Sequence, residues 1–373
     1  MKLTFWTRCI FLLTAGALAA CGGNAPVPAG AGGGASPSFG SHPHKLSNAM
    51  VAMTTAMHIV PSIHRNRHRS WMDPAAKHTQ YLLYVSDEAS GTVDVYAYRS
   101  RQGHLAGQLT GFQFPYGECQ DGSGNVYVTD FAAERVVEYA HGGTNPIKTL
   151  DDSYGYPIGC AVNPVTGDLA VSDWESNGSS CMGGIVIYAD ASGSGTSYTD
   201  QDFMYYYPPA YDPSGNLYVQ GQVNNGSGSS GLAEISSGGD ALVTVPLSGG
   251  TIYFPGGVQW DGHYLAATDQ AYNGGHTSSI YRITVTESGA SIVNNVELTD
   301  ACYKGSTPYN DVVQPFINGT ARPFHAVVAG NLACDYRYNY WSVIRGGDPK
   351  HSMPDHTAPL LASGQTVSAM KRR

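Results

Sequence analysis

Short runs of alternating apolar and polar residues, separated by turns rich in glycine, aspartate and asparagine, recur along the chain after residue 79. Residues 114–142 show the pattern most clearly. β-Branched and aromatic residues fill 126–129, and polar and apolar residues alternate over 135–139. The intervening segment 121–125 reads Asp-Gly-Ser-Gly-Asn, which favours a tight turn after a first strand at 117–120. This stretch therefore predicts three short strands.

The pattern returns about every 40–50 residues, which is the period expected for the blades of a β-propeller. Residues 212–219 repeat 121–128 almost residue for residue. Further copies begin near residues 82, 157, 254 and 312. We count six copies, which predicts an all-β, six-bladed β-propeller. One blade cannot bury both faces of its sheet alone, so the ring has to close on itself.

The copy at 114–142 resembles the NHL repeat. The residues that carry the resemblance are Pro115, Gly117, Gly124, Asn125, Asp130, Arg135 and Val136. The resemblance implies that the aspartate ending each second strand accepts hydrogen bonds from backbone amides of its own loop. Four aspartates hold this position, Asp87, Asp130, Asp173 and Asp269. The alternative interpretation is a ring of carboxylates that binds Ca²⁺.

Residues 1–20 have the features of a signal peptide, because the charged Lys2 and Arg8 precede an apolar run that ends at residue 20. The segment 18–21, Leu-Ala-Ala-Cys, resembles a bacterial lipobox, which implies cleavage before Cys21 and lipidation of that residue. Acyl chains would anchor the protein stably to a membrane. The alternative is an ordinary secretory peptide with a chance cysteine. We therefore expect an exported protein, lipid-anchored to the bacterial cell envelope at the outer membrane or cell surface.

The rest of the chain divides into two regions. Residues 21–78 form a lipid-anchored, low-complexity tether that begins with Gly, Ala, Pro and Ser. Apolar residues spaced by three or four over 46–60 predict a short helix in it, and a basic cluster follows at 64–69. Residues 79–373 form the propeller with its C-terminal closing segment. Either 365–370 or 59–63 would supply the strand that closes the ring and removes a free sheet edge.

Charge limits the possible partners of the propeller. From residue 79 onward 13 Lys and Arg stand against 28 Asp and Glu, a net charge near −15. Nucleic acid requires a basic surface, so the composition argues against it. We expect a monomer that is attached to the membrane through its lipid anchor.

Long loops mark one face of the predicted ring as the binding face. The turns between first and second strands are short, whereas the connections at the other end are long, and long loops on a rigid scaffold commonly carry function. Aromatic residues with polar tips suit contacts with a sugar or a peptide. The predicted ligand-binding residues are Tyr116, Glu118, Tyr156, Trp174, Tyr206 and Phe254. The alternative is that the rings wedge between neighbouring blades, while Glu118 is the candidate for a polar contact or a metal ligand.

Five cysteines follow Cys21 in the exported chain, where disulfides can form. In the blade alignment Cys119 and Cys160 open neighbouring innermost strands, and Cys302 and Cys334 flank the first two strands of the sixth blade. We predict these two pairs as disulfides. The alternative pairs Cys160 with Cys181.

Two classes of function remain open. The first is a non-enzymatic propeller that binds an envelope protein, a peptide or a glycan through its tyrosine-rich face. The second is a metal-dependent lactonase, esterase or lyase. Gluconolactonase-like propellers, to which the chain is distantly similar, hold one divalent metal at the ring axis, so Ca²⁺ or another divalent ion is the cofactor that this reading implies. The ligand set of that family does not map onto this chain residue by residue.

Overall fold

The computed structural model describes residues 69–79, 81–87, 90–97, 104–176, 182–224, 229–271 and 277–298, and the strands between residues 314 and 371. Four sequence predictions therefore lie outside the described residues: the signal peptide, the lipidated Cys21, the tether helix and the pair Cys302–Cys334. Cys181 and nearly all of the basic cluster lie outside them as well.

Twenty-eight strands lie in the described part of the chain. The first fourteen are Trp71–Met72 (β1), Tyr81–Asp87 (β2), Thr92–Ala97 (β3), His104–Thr110 (β4), Pro115–Gln120 (β5), Val126–Asp130 (β6), Arg135–Tyr139 (β7), Pro146–Asp151 (β8), Gly155–Val162 (β9), Leu169–Ser176 (β10), Gly184–Tyr188 (β11), Thr196–Tyr198 (β12), Phe203–Tyr206 (β13) and Ala210–Tyr211 (β14). The others are Leu217–Val223 (β15), Ser230–Ile235 (β16), Val243–Val245 (β17), Leu247–Ser248 (β18), Pro255–Trp260 (β19), Leu265–Ala271 (β20), Thr277–Thr286 (β21), Gly289–Leu298 (β22), Gln314–Ile317 (β23), Phe324–Gly330 (β24), Tyr338–Gly346 (β25), Pro354–Thr357 (β26), Leu361–Ala362 (β27) and Gln365–Lys371 (β28).

Three short 3₁₀ helices accompany the strands, at Ala76–His78, Phe131–Ala133 and Ala189–Ala191. No helix within the described residues has the length and apolar character needed to cross a bilayer.

The strands form six sheets, which we number I to VI in chain order. Sheet I has the strand order β1-β4-β3-β2-β28, sheet II is β5-β6-β7-β8, and sheet III is β9-β10-β11-β12. Sheet IV joins both β13 and β14 to β15, followed by β16 and β17. Sheet V is β19-β20-β21-β22-β18, and sheet VI runs from β23 through β24 to β25, which pairs with β26 and β27. All neighbours are antiparallel except β18 and β22. The prediction of an all-β fold is confirmed.

Contacts between successive sheets follow a closed order. The inner strand β5 contacts β9, sheet III contacts sheet IV through β9 and β14, β15 contacts β19, and β19 contacts β23. β28 contacts both β23 and β5, and it pairs with β2 over Gln365 to Lys371. One of the two segments considered for closing the ring, 365–370, thus lies in a strand that joins the last part of the chain to sheet I.

Each sheet from I to V contributes to a hydrophobic core on one or both of its faces. This is possible because successive side chains along a strand point to opposite faces of the sheet. In β6, Val126 and Val128 pack with residues of sheet I, whereas Tyr127 packs on Leu169 and Val171 of sheet III. Two further clusters fill the boundaries between sheets III and IV and between IV and V. A fully buried valine or leucine adds roughly 1.5–3 kcal/mol of hydrophobic stabilisation, so these layers hold adjacent sheets together.

The turn at residues 121–125 and its repeat at residues 212–216 have the same hydrogen bonds. Asp121 Oδ1 accepts the N–H groups of Ser123 and Asn125, each at 2.8 Å. Asp212 Oδ1 does the same with residues 214 and 216, at 2.8 and 2.9 Å. Gly124 and its counterpart at 215 have φ of 95° and 86°, a conformation that favours glycine. The predicted tight turn at 121–125 is confirmed. The two equivalent turns lie at the same end of sheets II and IV.

Candidate functional site

Asp130 illustrates the ordinary role of the aspartate that ends a second strand. Its side chain is fully buried. Oδ1 accepts the N–H groups of Gln113 at 3.0 Å and Phe114 at 2.8 Å, and Oδ2 accepts Nε and Nη2 of Arg135 at 3.0 and 2.8 Å. These hydrogen bonds and the Arg135 charge lower the pKa of Asp130, but burial is the larger effect and leaves that pKa above its usual value. Accepting backbone amides in this way is the role that the NHL resemblance implied.

Asp269 and Asp87 also act as acceptors for backbone amides. Asp269 accepts the N–H groups of Tyr253 and Phe254 at 2.9 and 3.1 Å, and Asp87 accepts that of Ser90 at 3.2 Å. In sheets I, II and V, therefore, the aspartate serves the local structure. A Ca²⁺-binding ring of these carboxylates has no support from these contacts.

Asp173, in sheet III, departs from this arrangement. It is 2% exposed, and its Oδ1 has no hydrogen-bond partner. Arg135 faces Asp130 across the β6–β7 pair, but the residue facing Asp173 across β10–β11 is Gly184. A second carboxylate, Asp152, is fully buried nearby and leaves its Oδ2 without a partner. Thr92 and Ser279 face the aspartates of sheets I and V, so the absence of an arginine is shared with those sheets. What sets sheet III apart is the second buried acid beside Asp173.

Burial and mutual repulsion keep these two carboxyls from ionising normally. Burial, with a smaller contribution from the charge of Glu134, raises the pKa of Asp152 to about 7, against hydrogen bonds from the Tyr154 amide and the Tyr188 hydroxyl that lower it. Burial also raises the pKa of Asp173 well above its usual value, assisted by the charges of Asp152 and Glu134. Two such groups are not both ionised at pH 7.

An aromatic row begins at the residue after Asp173. The ring of Trp174 is partly exposed and stacks on Tyr205 of sheet IV, with centroids 4.2 Å apart and planes 7° apart. Trp174 also hydrogen-bonds the buried Tyr207, whose ring meets the edge of Phe254 in sheet V at 6.2 Å. The Tyr205 hydroxyl is buried without a hydrogen-bond partner. Four rings thus connect sheets III, IV and V at the end where their first strands begin.

The structure brings together only part of the predicted binding set. Trp174 and Phe254 belong to the aromatic row. Tyr116 and Tyr156 are buried, 4% and 6% exposed, in a separate group with Phe131 between sheets II and III. These two rings therefore pack between neighbouring sheets, which was the alternative to ligand binding.

Tyr206 lies on the other side of β13. Its ring is fully buried in the core shared by sheets III and IV. Its hydroxyl accepts the N–H of Asp200 at 2.7 Å and donates to the carbonyl of the same residue at 3.1 Å. The prediction that Tyr206 contacts a ligand is therefore not supported by its position. Successive residues of a strand point to opposite faces, so only Tyr205 and Tyr207 join the row.

Glu118 is 7% exposed and accepts a hydrogen bond from the hydroxyl of Ser86 in sheet I. In three other sheets the hydroxyl residue before the strand-ending aspartate bonds a glycine carbonyl of its own sheet. The pairs are Thr129 with Gly117 at 2.9 Å, Ser172 with Gly159 at 3.3 Å and Thr268 with Gly257 at 3.0 Å. Glu118 therefore forms a hydrogen bond that links sheets I and II. The recurring Ser-Asp or Thr-Asp pair at the end of the second strands was the sequence signal that could have predicted a hydroxyl partner here.

A disulfide joins Cys119 of β5 to Cys160 of β9, with Cα atoms 5.5 Å apart. This predicted pairing is confirmed and links the inner strands of sheets II and III.

We also considered metal ligands and grooves among the described residues. Among the described residues, no group of three or more His, Cys, Asp or Glu side chains is placed to hold a metal ion. A shallow groove of about 570 Å³ lies at the outer strands of sheet IV, lined by residues 199–202 and 242–244. It is open to solvent and does not include the residues of the aromatic row, so we take the row and the neighbouring acids as the candidate site.

Sequence reasoning missed Asp152 and the special position of Asp173. The absence of an arginine after Asp173 was visible in the sequence, but Asp87 and Asp269 also lack one, so this absence did not single out Asp173. Asp152 gave no such signal, since it belongs to the end of the preceding sheet and approaches Asp173 only in the folded chain.

Comparisons with known proteins support the fold and leave the function open. Residues 182–300 match a family of unknown function (DUF6454). A comparison with the curated proteins gave no match.

Several solved structures have a similar fold. A chain of a nidogen/laminin complex is similar over 79% of this chain and 99% of its own, with 13% identity and a TM-score of 0.54. A protein of unknown function from Bacteroides caccae matches over 78% and 99%, with 9% identity and a TM-score of 0.50. Kuenenia stuttgartiensis hydrazine synthase matches over 82% and 88%, with 14% identity and a TM-score of 0.50. At these identities the likeness shows the fold alone. This chain has an all-β, multi-sheet fold of the propeller kind.

Proposed function

We propose that the chain is a cell-envelope lipoprotein, anchored through Cys21, whose six-bladed β-propeller binds an envelope protein, a peptide or a glycan. The observation that carries the proposal is the aromatic row. It ends in the partly exposed Trp174 and Phe254 and adjoins Tyr253, which is 57% exposed. Large rings that reach the surface from a rigid support lose little entropy on binding and provide a large contact area. The propeller acts as a monomer held near the membrane by its tether.

Exposed residues at the two opposite ends of the sheets can serve as probe position and control position in a binding test. Tyr253 precedes the first strand of sheet V, at the end that carries the row, and its N–H bonds Asp269. Val165 is 63% exposed in the turn between β9 and β10, at the opposite end of sheet III. The two side chains are similarly accessible, so a probe placed at either position samples a different face of the same domain.

The test is in-cell photo-crosslinking in the native envelope, with a benzophenone side chain at position 253 or at position 165. We expect a discrete adduct from position 253, reduced by Trp174→Leu, and none from position 165. Equal adducts from both positions would contradict a specific binding face. Hydrolysis of lactone or ester substrates by the purified chain would contradict the binding-only function.

The anchor is tested separately. Metabolic labelling with an alkyne fatty acid should modify the wild-type chain and not Cys21→Ser, and the variant should leave the membrane fraction. A labelled variant, or a wild-type chain without label, would overturn lipidation at Cys21 and leave the binding face untouched.

A further inference from the structure

We infer that the outer edge of sheet IV is a docking site for a basic, extended segment of another protein, which adds to β17 as a further strand. The site is the groove of about 570 Å³ that is lined by residues 199–202 and 242–244. The groove shares no residue with the aromatic row, so the inference goes beyond the proposed function and does not depend on it.

The outer edges of the sheets differ in how they are covered. Sheet I carries β1 outside β4, and sheet V carries β18 outside β22, so an added two-residue strand covers each of these edges. Sheet IV ends at β17, for which β16 is the single partner strand within the described residues. The segment Val243–Val245 contains no charged residue and no proline, which are the residues that commonly keep an exposed edge from pairing. The backbone of β17 is therefore open to a further strand.

The groove distinguishes β17 from the other uncovered edges. Sheet II ends at β8, which carries both a proline and the charged Lys148, and sheet III ends at β12, whose residues Thr-Ser-Tyr are polar. In β17, by contrast, the apolar Val243 is 58% exposed and lies beside a groove that the buried Leu242 also lines. An added strand would therefore cover apolar surface as well as backbone hydrogen-bonding groups.

Hydrogen bonds hold the wall of the groove that faces β17. The buried hydroxyl of Tyr206 accepts the N–H of Asp200 at 2.7 Å and donates to its carbonyl at 3.1 Å. Asp200 Oδ1 accepts the N–H of Asp202 at 2.9 Å, and Oδ2 accepts the hydroxyl of Thr244 in β17 at 2.8 Å. The wall and the strand are already joined, so little further order has to be gained when a segment binds.

Charge indicates which kind of segment fits. No lysine or arginine occurs between Lys148 and Arg282, whereas 13 aspartates and glutamates do. Two of these acids, Asp200 and Asp202, are among the residues that line the groove, and none of those residues is basic. An acidic wall attracts a positively charged partner. Because alternate side chains of an added strand point to the same side, a segment in which lysine or arginine alternates with uncharged residues would direct its charges to this wall.

The test uses the full-length chain in detergent and short fluorescent peptides, whose binding is measured by fluorescence anisotropy. In the first peptide lysine alternates with threonine, and in the second glutamate replaces lysine. Two further lysine peptides are N-methylated at alternate amides, one in each of the two possible registers. We expect the lysine peptide to bind, and the glutamate peptide and one methylated peptide to bind at least about tenfold more weakly. Equal binding of the lysine peptide and both methylated peptides would overturn strand addition, because methyl groups block the hydrogen bonds of an added strand.

Variants of exposed residues locate the site. Val243→Lys and Asp202→Lys should each weaken the binding of the lysine peptide about tenfold. Ile147→Lys and Glu287→Lys introduce the same changes of charge elsewhere, since Ile147 is 53% exposed on β8 and Glu287 is exposed in the turn between β21 and β22. These two controls should bind like the wild type. Unchanged affinity in both groove variants, or equal losses in the controls, would overturn the inference.

Sedimentation of the full-length chain in detergent identifies the source of the segment. A monomer whose sedimentation is the same in Val243→Lys supports a segment of another protein. Self-association that Val243→Lys abolishes would assign the groove to a second copy of this chain and overturn the inference. Crosslinking from position 253 reports on the aromatic row, so its result decides the proposed function separately.

Discussion

Arg135 shows what a buried aspartate requires in this fold. Its guanidinium is 31% exposed, yet it neutralises a carboxylate with no exposure at all. Removing the arginine would leave Asp130 with two backbone amides and no counter-charge. A buried charge that loses its partner destabilises a protein more than the loss of a surface ion pair does.

We therefore expect Arg135→Ala to lower the free energy of unfolding by roughly 2–4 kcal/mol, measured by urea denaturation. Lys148→Ala is the matched control, because Lys148 lies 3.9 Å from Glu138 and is 39% exposed. Its loss should cost less than about 1 kcal/mol. Similar losses in both variants would show that Asp130 does not depend on its arginine.

The two buried acids of sheet III, Asp152 and Asp173, make the stability of the protein depend on pH. The folded pKa of Asp152, about 7, lies above the value of 3.8 for an unperturbed aspartate, so the folded state binds the proton more tightly. The contribution of Asp152 to stability is then fully present below about pH 4 and is lost as the pH rises through about 7. Asp173 shifts in the same direction.

Thermal unfolding between pH 4 and pH 8 tests this. The wild-type melting temperature should fall as the pH rises over this range, and the fall should be smaller in Asp152→Asn and Asp173→Asn. Asp202→Asn, at an exposed position, should follow the wild type. A melting temperature that rises through this range would contradict the shared burial of the two acids.

The sequence could not show which of three neighbouring tyrosines lies in the core and which lie in the aromatic row. Tyr205, Tyr206 and Tyr207 are chemically identical, yet the middle one lies in the core and the outer two form the row. A shift of one residue in register would exchange them. The sequence predicts the strand, but the register of β13 against β15 depends on the packing of the whole sheet.

At the scale of strands and turns, prediction was more successful. The segment 121–125 adopts the expected turn because its glycine and Asp side chain satisfy a local requirement that needs no distant partner. The strand predicted at 126–129 ends one residue later in the structure, at Asp130. The acidic pair could not be predicted in this way, because Asp152 and Asp173 come from the end of one sheet and the middle of the next.

The disulfide is the covalent connection between two elements. Cys119 and Cys160 are 41 residues apart, and closing a loop of that length restricts the unfolded chain. The double variant Cys119→Ser/Cys160→Ser should lose about 4 kcal/mol of stability, measured by denaturation under non-reducing conditions. Reductant should destabilise the wild type and leave the double variant unchanged. An equal response of both proteins to reductant would argue against the bond.

On the scale of the whole molecule, the pairing of β28 with β2 connects residues from opposite ends of the described chain, Lys371 with Tyr81. Without β28, β2 would become an open edge, and open edges promote association between chains. The repeat period predicted an all-β fold of repeated sheets, but it did not decide which segment would complete sheet I.

Removing residues 365–373 should therefore abolish cooperative unfolding or produce aggregates, as measured by calorimetry and size-exclusion chromatography. Removing only residues 372–373, beyond the strand, should leave both properties unchanged. A cooperative, monomeric protein after the longer deletion would show that β28 is dispensable for the ring.

The late position of β28 also has a consequence for biosynthesis. Since this strand is the last one described and its partner is among the first, sheet I cannot be completed until the ribosome has made nearly the whole propeller. The nascent polypeptide therefore keeps an unfinished sheet throughout elongation. For the export that we propose, this means that the chain would cross the membrane before sheet I is complete, and that the Cys119–Cys160 bond would form afterwards in an oxidising compartment.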